Sequence, residues 1–424
     1  MNSKRFEITN IRTPVDGQNR RYQAGYATLG IAAVLLFILS LITIYLTRSG
    51  IIDIRTSANK ARYAQALTDA ERKLEIGLGW LGKNKPSSPA SWEFCSHSSF
   101  NGLKVQAALG TNWRCLSQSA TYTVNEVGPV TTTTSFIITT PAATSAIGKT
   151  YFVVAEGSSE DGSASAVVKQ GVYFYASNAG AANAPPMMGA GNIPLNGNYT
   201  VVANPNSGGK GVPVSVWSKM TIANLSGTAA TCQLGEYLLA GNNCTGTAVI
   251  SSSAGKGPDI VDNDPLFPAD VFQYVFGVPS DAYGIVKAQA NTTVTDCSNL
   301  VGLSGTVWVT GDCTIPSNSI VGSATAPLQL IVESGDFTMN ANSTFYGLLF
   351  AFGPPPSPYN AGAIQANGGA KFYGSMISND TTNMGLNING TFDMVYSKNV
   401  MDIISNDTKY KTMARIPGSW ADFL

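Results

Sequence analysis

An unbroken apolar stretch, Tyr26 to Leu46, constrains this chain more than any other feature. It contains no Asp, Glu, Lys or Arg. One helix needs roughly 20 apolar residues to cross a bilayer, so the stretch is long enough to span once. No later stretch is long and apolar enough to span again. The expectation is a single N-terminal anchor with nearly all of the remaining chain in water.

Charge alone does not orient the anchor. Lys4, Arg5, Arg12, Arg20 and Arg21 precede it, and Arg48, Arg55, Lys60 and Arg62 follow it. The cysteines decide. Cys95, Cys115, Cys232, Cys244, Cys297 and Cys313 fall into three local couples, with no C-x-x-C and a single histidine, His97. That pattern argues against zinc and for disulfides outside the cytosol, each worth about 3 kcal/mol by loop closure. Six cysteines allow 15 connectivities; nearest-neighbour pairing is the reading taken, and the sequence leaves the others open. Charged residues are only 12% of the 424 and the formal net charge is +0. Nothing here calls for direct nucleic-acid binding. Abundant Gly, Ser, Thr and Asn suit a turn-rich β surface better than a helical enzyme.

Residues 1–25 are polar and read as a leader, with the plausible cut at Gly25, ahead of the apolar run. The helix should continue past the membrane. From Ile54 through Ala58, Ala61, Leu67, Ala70, Leu74 and Leu78 to Leu81, apolar residues recur mostly every three or four positions. Helix from Tyr26 to about Gly77 would be ~78 Å long at 1.5 Å per residue, ended by Gly79, Gly82 and Pro86. Segments Ala120–Asn125, Thr134–Thr139, Tyr151–Ala155 and Ala164–Tyr175 read as strands, with a hairpin turning at residues 158–162. An antiparallel sheet laid on the second half of the helix is the economical arrangement.

Residues 176–198, rich in Ala, Gly, Asn and Pro, look like a boundary. Beyond it, weak repeats appear. Trp308–Ile315 resembles Ile331–Met339, with Gly311-Asp312 and Gly335-Asp336 24 residues apart. Phe345-Tyr346-Gly347 recurs as Phe372-Tyr373-Gly374, 27 residues on. Such periods in β-rich sequence indicate stacked turns, each burying its apolar face on the next. The prolines at 354–356 and 358 must bulge out as a loop.

These features together resemble type IV pilins, and more narrowly the PilX-type minor pilins. The resemblance rests on the basic leader ending in Gly25, Tyr26, the apolar helix and its amphipathic continuation. Leu46-Thr-Arg-Ser49, Ala64-Gln-Ala66 and Asp69-Ala-Glu71 add to it, as do Asn198–Asn204, Gly211–Trp217, Phe345–Phe350 and Pro417–Trp420. It implies cleavage between Gly25 and Tyr26 by a prepilin peptidase and N-methylation of Tyr26. It also implies residence in a bacterial inner membrane as a single-pass protein with a periplasmic C-terminal domain, then in an extracellular pilus. The implied partners are other minor pilins, a tip adhesin and the major pilin, besides inner-membrane lipid, in adhesion, twitching motility or DNA uptake. The chain departs from the major pilins at the fifth mature residue, which is Gly30 and not glutamate. A free amine in the hydrocarbon layer is costly. In a pilus that glutamate neutralises the amine of the subunit inserted before it, so a subunit with Gly30 suits the one position with no predecessor, the tip.

The expected architecture is therefore α+β: leader 1–25, transmembrane half-helix 26–48, pilin-like domain 49–178, and a β-rich, solenoid-like domain 185–424. Catalysis has little to stand on, and no cofactor is expected. His97 reads as a surface residue, and no G-x-S-x-G, P-loop or dinucleotide fingerprint occurs. Asp259, Asp262 and Asp264 are a weak calcium candidate. Asp312 and Asp336 read as turn caps, the Asn342-Ser-Thr344 triplet as composition, and Tyr346 and Tyr373 as core or partner contacts. Two rival readings are a large tip pseudopilin of a type II secretion system and a membrane-anchored β-solenoid enzyme acting on polysaccharide.

Overall fold

The first element, α1, runs without a break from Ala24 to Asn84, 61 residues. It belongs to a computed structural model that describes residues 24–85, 91–97, 113–124, 130–141, 150–175, 184–206, 212–222 and 225–423. Residues 1–23, most of the expected leader, and residues 176–183 of the expected boundary lie outside the described residues. The chain divides into two units, Met1–Gln65 and Ala66–Leu424.

In the first unit the apolar side chains of α1 are exposed. Leu36 is 68% and Phe37 64% accessible. The hydroxyls on this stretch bond within the helix. Ser40 Oγ donates to the Phe37 carbonyl, Thr43 Oγ1 to Leu39 and Thr47 Oγ1 to Thr43, each at 2.7 Å. With these three hydroxyls satisfied inside the helix, its outward surface is mostly hydrocarbon, with the Tyr45 ring also exposed. Exposure continues through Ile51, Ile52 and Ile54. Cover is expected over Ile54, Ala58 and Ala61, but all three are exposed, and among the described residues the buried stripe begins only at Ala66.

In the second unit, burial of α1 starts at Ala66 and follows the predicted stripe through Ala70, Leu74, Leu78 and Leu81. The helix passes through Gly77, Gly79 and Gly82 and ends at Asn84, two residues before Pro86, the last of the three expected terminators. The reason is packing. A Cβ on Gly77 would lie 2.7 Å from Val153 Cγ1 and 2.9 Å from the Phe136 ring. Glycine costs a helix about 1 kcal/mol relative to alanine, and close contact with the sheet offsets it. α1 stops at Lys85, whose backbone is left-handed (φ 37°) and whose N–H closes on the Leu81 carbonyl at 3.0 Å.

The covering sheet is antiparallel. Its strands are β1 (Glu93–Phe94), β2 (Trp113–Val124), β3 (Val130–Pro141), β4 (Thr150–Ser158) and β5 (Ser165–Tyr175), adjacent in that order. β4 and β5 form the predicted hairpin, with Tyr151 opposite Val172 and Ser158 opposite Ser165. Rings fill the space between sheet and helix. Trp80 meets Phe136 at 5.8 Å, and Tyr151 meets Phe174 edge-on at 5.3 Å. The last two strands of the chain, Thr412–Arg415 and Ala421–Phe423, also pair antiparallel with β5.

The remainder is a parallel β-coil. Strands Gly305–Val309, Leu328–Glu333, Thr344–Phe352, Ala370–Ser378 and Thr391–Val395 stack in order on one face. Cys313–Ile315, Phe337–Met339, Ile364–Asn367 and Asn387–Asn389 stack on another. Asn196–Ala203, far earlier in the chain, lies parallel to Thr391–Val395 and adds the next rung. Residues 184–195, at the end of the boundary-like segment, are built into this stack, with Met187–Gly189 paired to Met376–Ser378. Their small side chains are required there, since a Cβ on Gly191 would come within 2.8 Å of the Asn383 nitrogen and the Asp380 carbonyl. Val307, Leu330, Leu349, Met376 and Met394 line the interior of the coil. Outside it, Phe272, Phe276, Phe350, Phe352 and Met401 form a second cluster beneath short helices.

Candidate functional site

The predicted repeats are successive rungs. Phe345 sits on Phe372, Tyr346 on Tyr373 and Gly347 on Gly374. The Phe345–Phe372 and Tyr346–Tyr373 rings stack at 4.7 and 4.8 Å. Phe345 and Phe372 are core, whereas Tyr346 and Tyr373 are half-buried on the outer face. Gly311, Gly335 and Gly362 form a corner column with no room for side chains. A Cβ on Gly335 would lie 2.2 Å from the Gly311 carbonyl oxygen. Beside this column, Asp312 Oδ1 accepts the Asp336 N–H at 3.0 Å, and Asp336 Oδ1 accepts the Ala363 N–H at 2.7 Å. Each carboxylate ties its corner to the next turn. At the neighbouring corner Asn318 and Asn342 are both left-handed (φ 59° and 55°), with the Asn342 amide donating to Asn318 Oδ1 at 3.4 Å.

The calcium candidates do not converge. Asp259 is buried and accepts from the Ser215 and Ser251 hydroxyls at 2.6 and 2.5 Å. Asp262 pairs with Lys256 at 2.8 Å and accepts the Ile222 N–H. Asp264 accepts from Trp217 Nε1 at 2.8 Å and from the Leu266 N–H. Each carboxylate is committed to separate protein donors. Among the described residues, no group of three His, Cys, Asp or Glu side chains is arranged to hold a metal. His97 is half-exposed, with Nδ1 3.3 Å from Glu93.

Three disulfides join Cys95 to Cys115, Cys232 to Cys244 and Cys297 to Cys313. The first ties the residue that follows β1 to β2, and the last ties a loop to the coil. Asn379 and Asp380 were not anticipated from sequence. Asn379 exchanges two hydrogen bonds with the Gly353 backbone, at 2.7 and 2.8 Å, and Asp380 accepts the Ala361 N–H at 3.1 Å. Together they close the base of the proline loop. Burial pushes the Asp380 carboxyl up, but the Asn383, Thr382 and Ala361 donors outweigh it and hold its pKa below the ordinary value. The proline run marks the loop in the sequence, but nothing local marks the residues that clamp it.

Among the described residues, Lys85 is a buried cation whose pKa is shifted. It is 5% exposed, and burial lowers its ammonium pKa to about 8. The unfolded chain therefore binds more protons than the folded chain between pH 8 and the ordinary lysine value, and stability rises with pH across that window. Denaturant titrations should show a gain of about 2 kcal/mol from pH 8 to pH 10, abolished in Lys85→Met. Above pH 10 the trend reverses. Burial raises Tyr151, Tyr237, Tyr396 and Tyr410 to about 12, so the stability tied to their protonated form is lost as pH climbs past the unfolded value.

The candidate functional elements are thus the exposed apolar half of α1 and the head it carries. Thr28–Asn84 is the one candidate membrane span among the described residues, with a mean hydropathy of 2.7 in its most apolar window and none of that window buried. The proposed junction, Gly25-Tyr26, lies in helical backbone at the start of α1, and the Tyr26 side chain lies outside the described residues. No family model matches the chain, and no curated protein matches it. Among solved structures, the competence-associated pilin ComZ from Thermus thermophilus is similar at 14% identity over 86% of this chain and 98% of that one, with a TM-score of 0.21. That likeness is too slight to carry weight for fold or function.

Proposed function

We propose that the chain is a minor pilin of a type IV pilus that primes assembly and sits at the tip. A prepilin peptidase would cut between Gly25 and Tyr26, and the new amine on Tyr26 would be methylated. The retained helix would anchor the protein in the inner membrane, its head in the periplasm, and later pack against neighbouring pilin helices in the fibre. Other minor pilins, a tip adhesin and the major pilin are its partners, in adhesion, twitching motility or DNA uptake. One observation carries this reading. α1 passes without interruption from a bare, internally satisfied apolar half into a half packed on an antiparallel sheet. A cleaved secretory signal has no use for that continuity. A stalk that leaves lipid and enters a fibre does.

Gly30 supports the tip position, because a subunit lacking a carboxylate there would leave a predecessor's amine unneutralised in hydrocarbon. Immunogold labelling of filaments should find the wild-type protein at fibre ends and Gly30→Glu along the shaft. Wild-type label already spread along the shaft would contradict the tip assignment.

A further inference from the structure

We propose that the seam between β3 and β4 receives an extended strand from a separate protein chain, hydrogen-bonded to the free edge of β3. This goes beyond the pilin reading and does not depend on it. β4 pairs with β3 only where Ile137, Ile138 and Thr139 face Val154, Val153 and Phe152. Beyond that point β4 leaves β3, because Gly157 is drawn against the backbone of Ala66 and Ala70 on α1. β3 continues outward, paired to β2 alone. Between them opens a cleft of about 500 Å³ whose walls include Thr133, Thr134, Ser135 and Phe136 on one side and Glu156 and Ser158 on the other.

The two walls are treated differently. On β4, the Glu156 carbonyl accepts Lys73 Nζ at 3.0 Å, and the Ser158 N–H donates to Asp69 Oδ2 at 3.1 Å. Burial raises the Asp69 carboxyl, but Lys73, Arg72 and the Ser158 N–H outweigh it and keep it ionised. Side chains of α1 thus blunt that edge. Among the described residues, no α1 side chain is seen to bond the β3 backbone from Thr132 to Phe136 in this way. Among the described residues no strand lies along its edge from Thr132 to Phe136. Thr134, only 4% exposed, lines the cleft with its hydroxyl unpartnered.

Alternation says which backbone groups face the gap. Glu156 and Ser158 aim theirs away from β5, so Val154 and its partner Ile137 form a hydrogen-bonded pair. Two residues back along β3, Ser135 and Thr133 aim N–H and C=O into the seam, whereas Thr134 and Phe136 aim theirs at β2. The missing bonds recur every second residue, which is what an extended peptide supplies. Its inward side chains would be small or apolar, beside Thr134 and Phe136, and its outward ones polar, beside exposed Thr133 and Ser135. The free edge lies inside a cleft walled by β4, so one strand can enter but the sheet of a second copy cannot lie against it.

The test uses the full chain in detergent micelles and a fluorescein-labelled peptide of alternating valine and threonine, about ten residues long. Binding should saturate. Exchange at the Thr133 and Ser135 amides should slow at least about tenfold on saturation, while Thr134 and Phe136 stay unchanged. Ser135→Pro removes an N–H aimed at the seam and none from the β2 ladder. It should weaken the peptide at least about tenfold while amides of β2 and β5 keep their protection. The assignment is overturned if wild type shows no saturable binding up to ~1 mM, or if Ser135→Pro binds equally well. It is also overturned if the exchange pattern ignores the two-residue alternation. A wild-type dimer that Ser135→Pro dissolves would make the occupant a second copy and overturn the separate-partner assignment.

Discussion

Gly374→Ala is expected to break the coil. A Cβ at Gly374 would sit 1.8 Å from the Gly347 carbonyl oxygen, and the backbone there is at φ 145°, where side chains are strained. Gly347 is in the same position one turn earlier, 1.8 Å from the Leu328 carbonyl oxygen at φ 157°. The obstructing atoms are backbone in the middle of a parallel ladder, so relief requires pulling rungs apart. Backbone strain of 1–3 kcal/mol and overpacking of similar size act together, and the loss should be about 4 kcal/mol or more. Because each rung is stabilised by its neighbours, the damage should spread through the stack. Urea denaturation followed by the fluorescence of Trp308, buried in the coil wall, would report it. Gly235→Ala is the control. It lies in the short helix Leu234–Leu239 with nothing within 4 Å of an added Cβ, and should be neutral or stabilising by up to about 1 kcal/mol.

Gly157→Leu should detach the second half of α1 from its sheet. Even the first side-chain carbon would lie 2.2 Å from the Ala66 carbonyl oxygen and the Ala70 nitrogen. The helix can only move away, and in doing so it strips Lys73 from the Glu156 carbonyl and Asp69 from the Ser158 N–H. A loss of about 3–5 kcal/mol is expected. Amide exchange across Ala66–Leu74 should accelerate strongly, while the coil amides at Leu328–Glu333 keep their protection. Gly79→Ala, on the same helix with no neighbour within 4 Å, should leave exchange unchanged.

Both sites show where sequence reasoning reached and where it stopped. The hairpin of β4 and β5 was legible because its alternation and its Ser-Ser-Glu-Asp-Gly turn are local. The coil was legible because a rung repeats itself: Phe345-Tyr346-Gly347 over Phe372-Tyr373-Gly374 is one contact written twice in the chain. The continuation of α1 past Gly77 was not legible. A glycine that ends a helix and one that lets a helix touch Val153 look alike without the partner. The return of Thr412–Phe423 to β5, and the stacking of Asn196–Ala203 on Thr391–Val395, join residues roughly 190 to 256 positions apart with no local mark. The carboxylates at 259, 262 and 264 cluster in sequence, yet each is bonded to different donors and they are not arranged as a metal site among the described residues.

Intact-mass and N-terminal sequencing of protein purified from sheared fibres and from membranes tests the central claim most directly. The account predicts a mature chain that begins at methylated Tyr26 and keeps the whole apolar half of α1. A chain still starting at Met1, or one lacking residues 26–46, would contradict it.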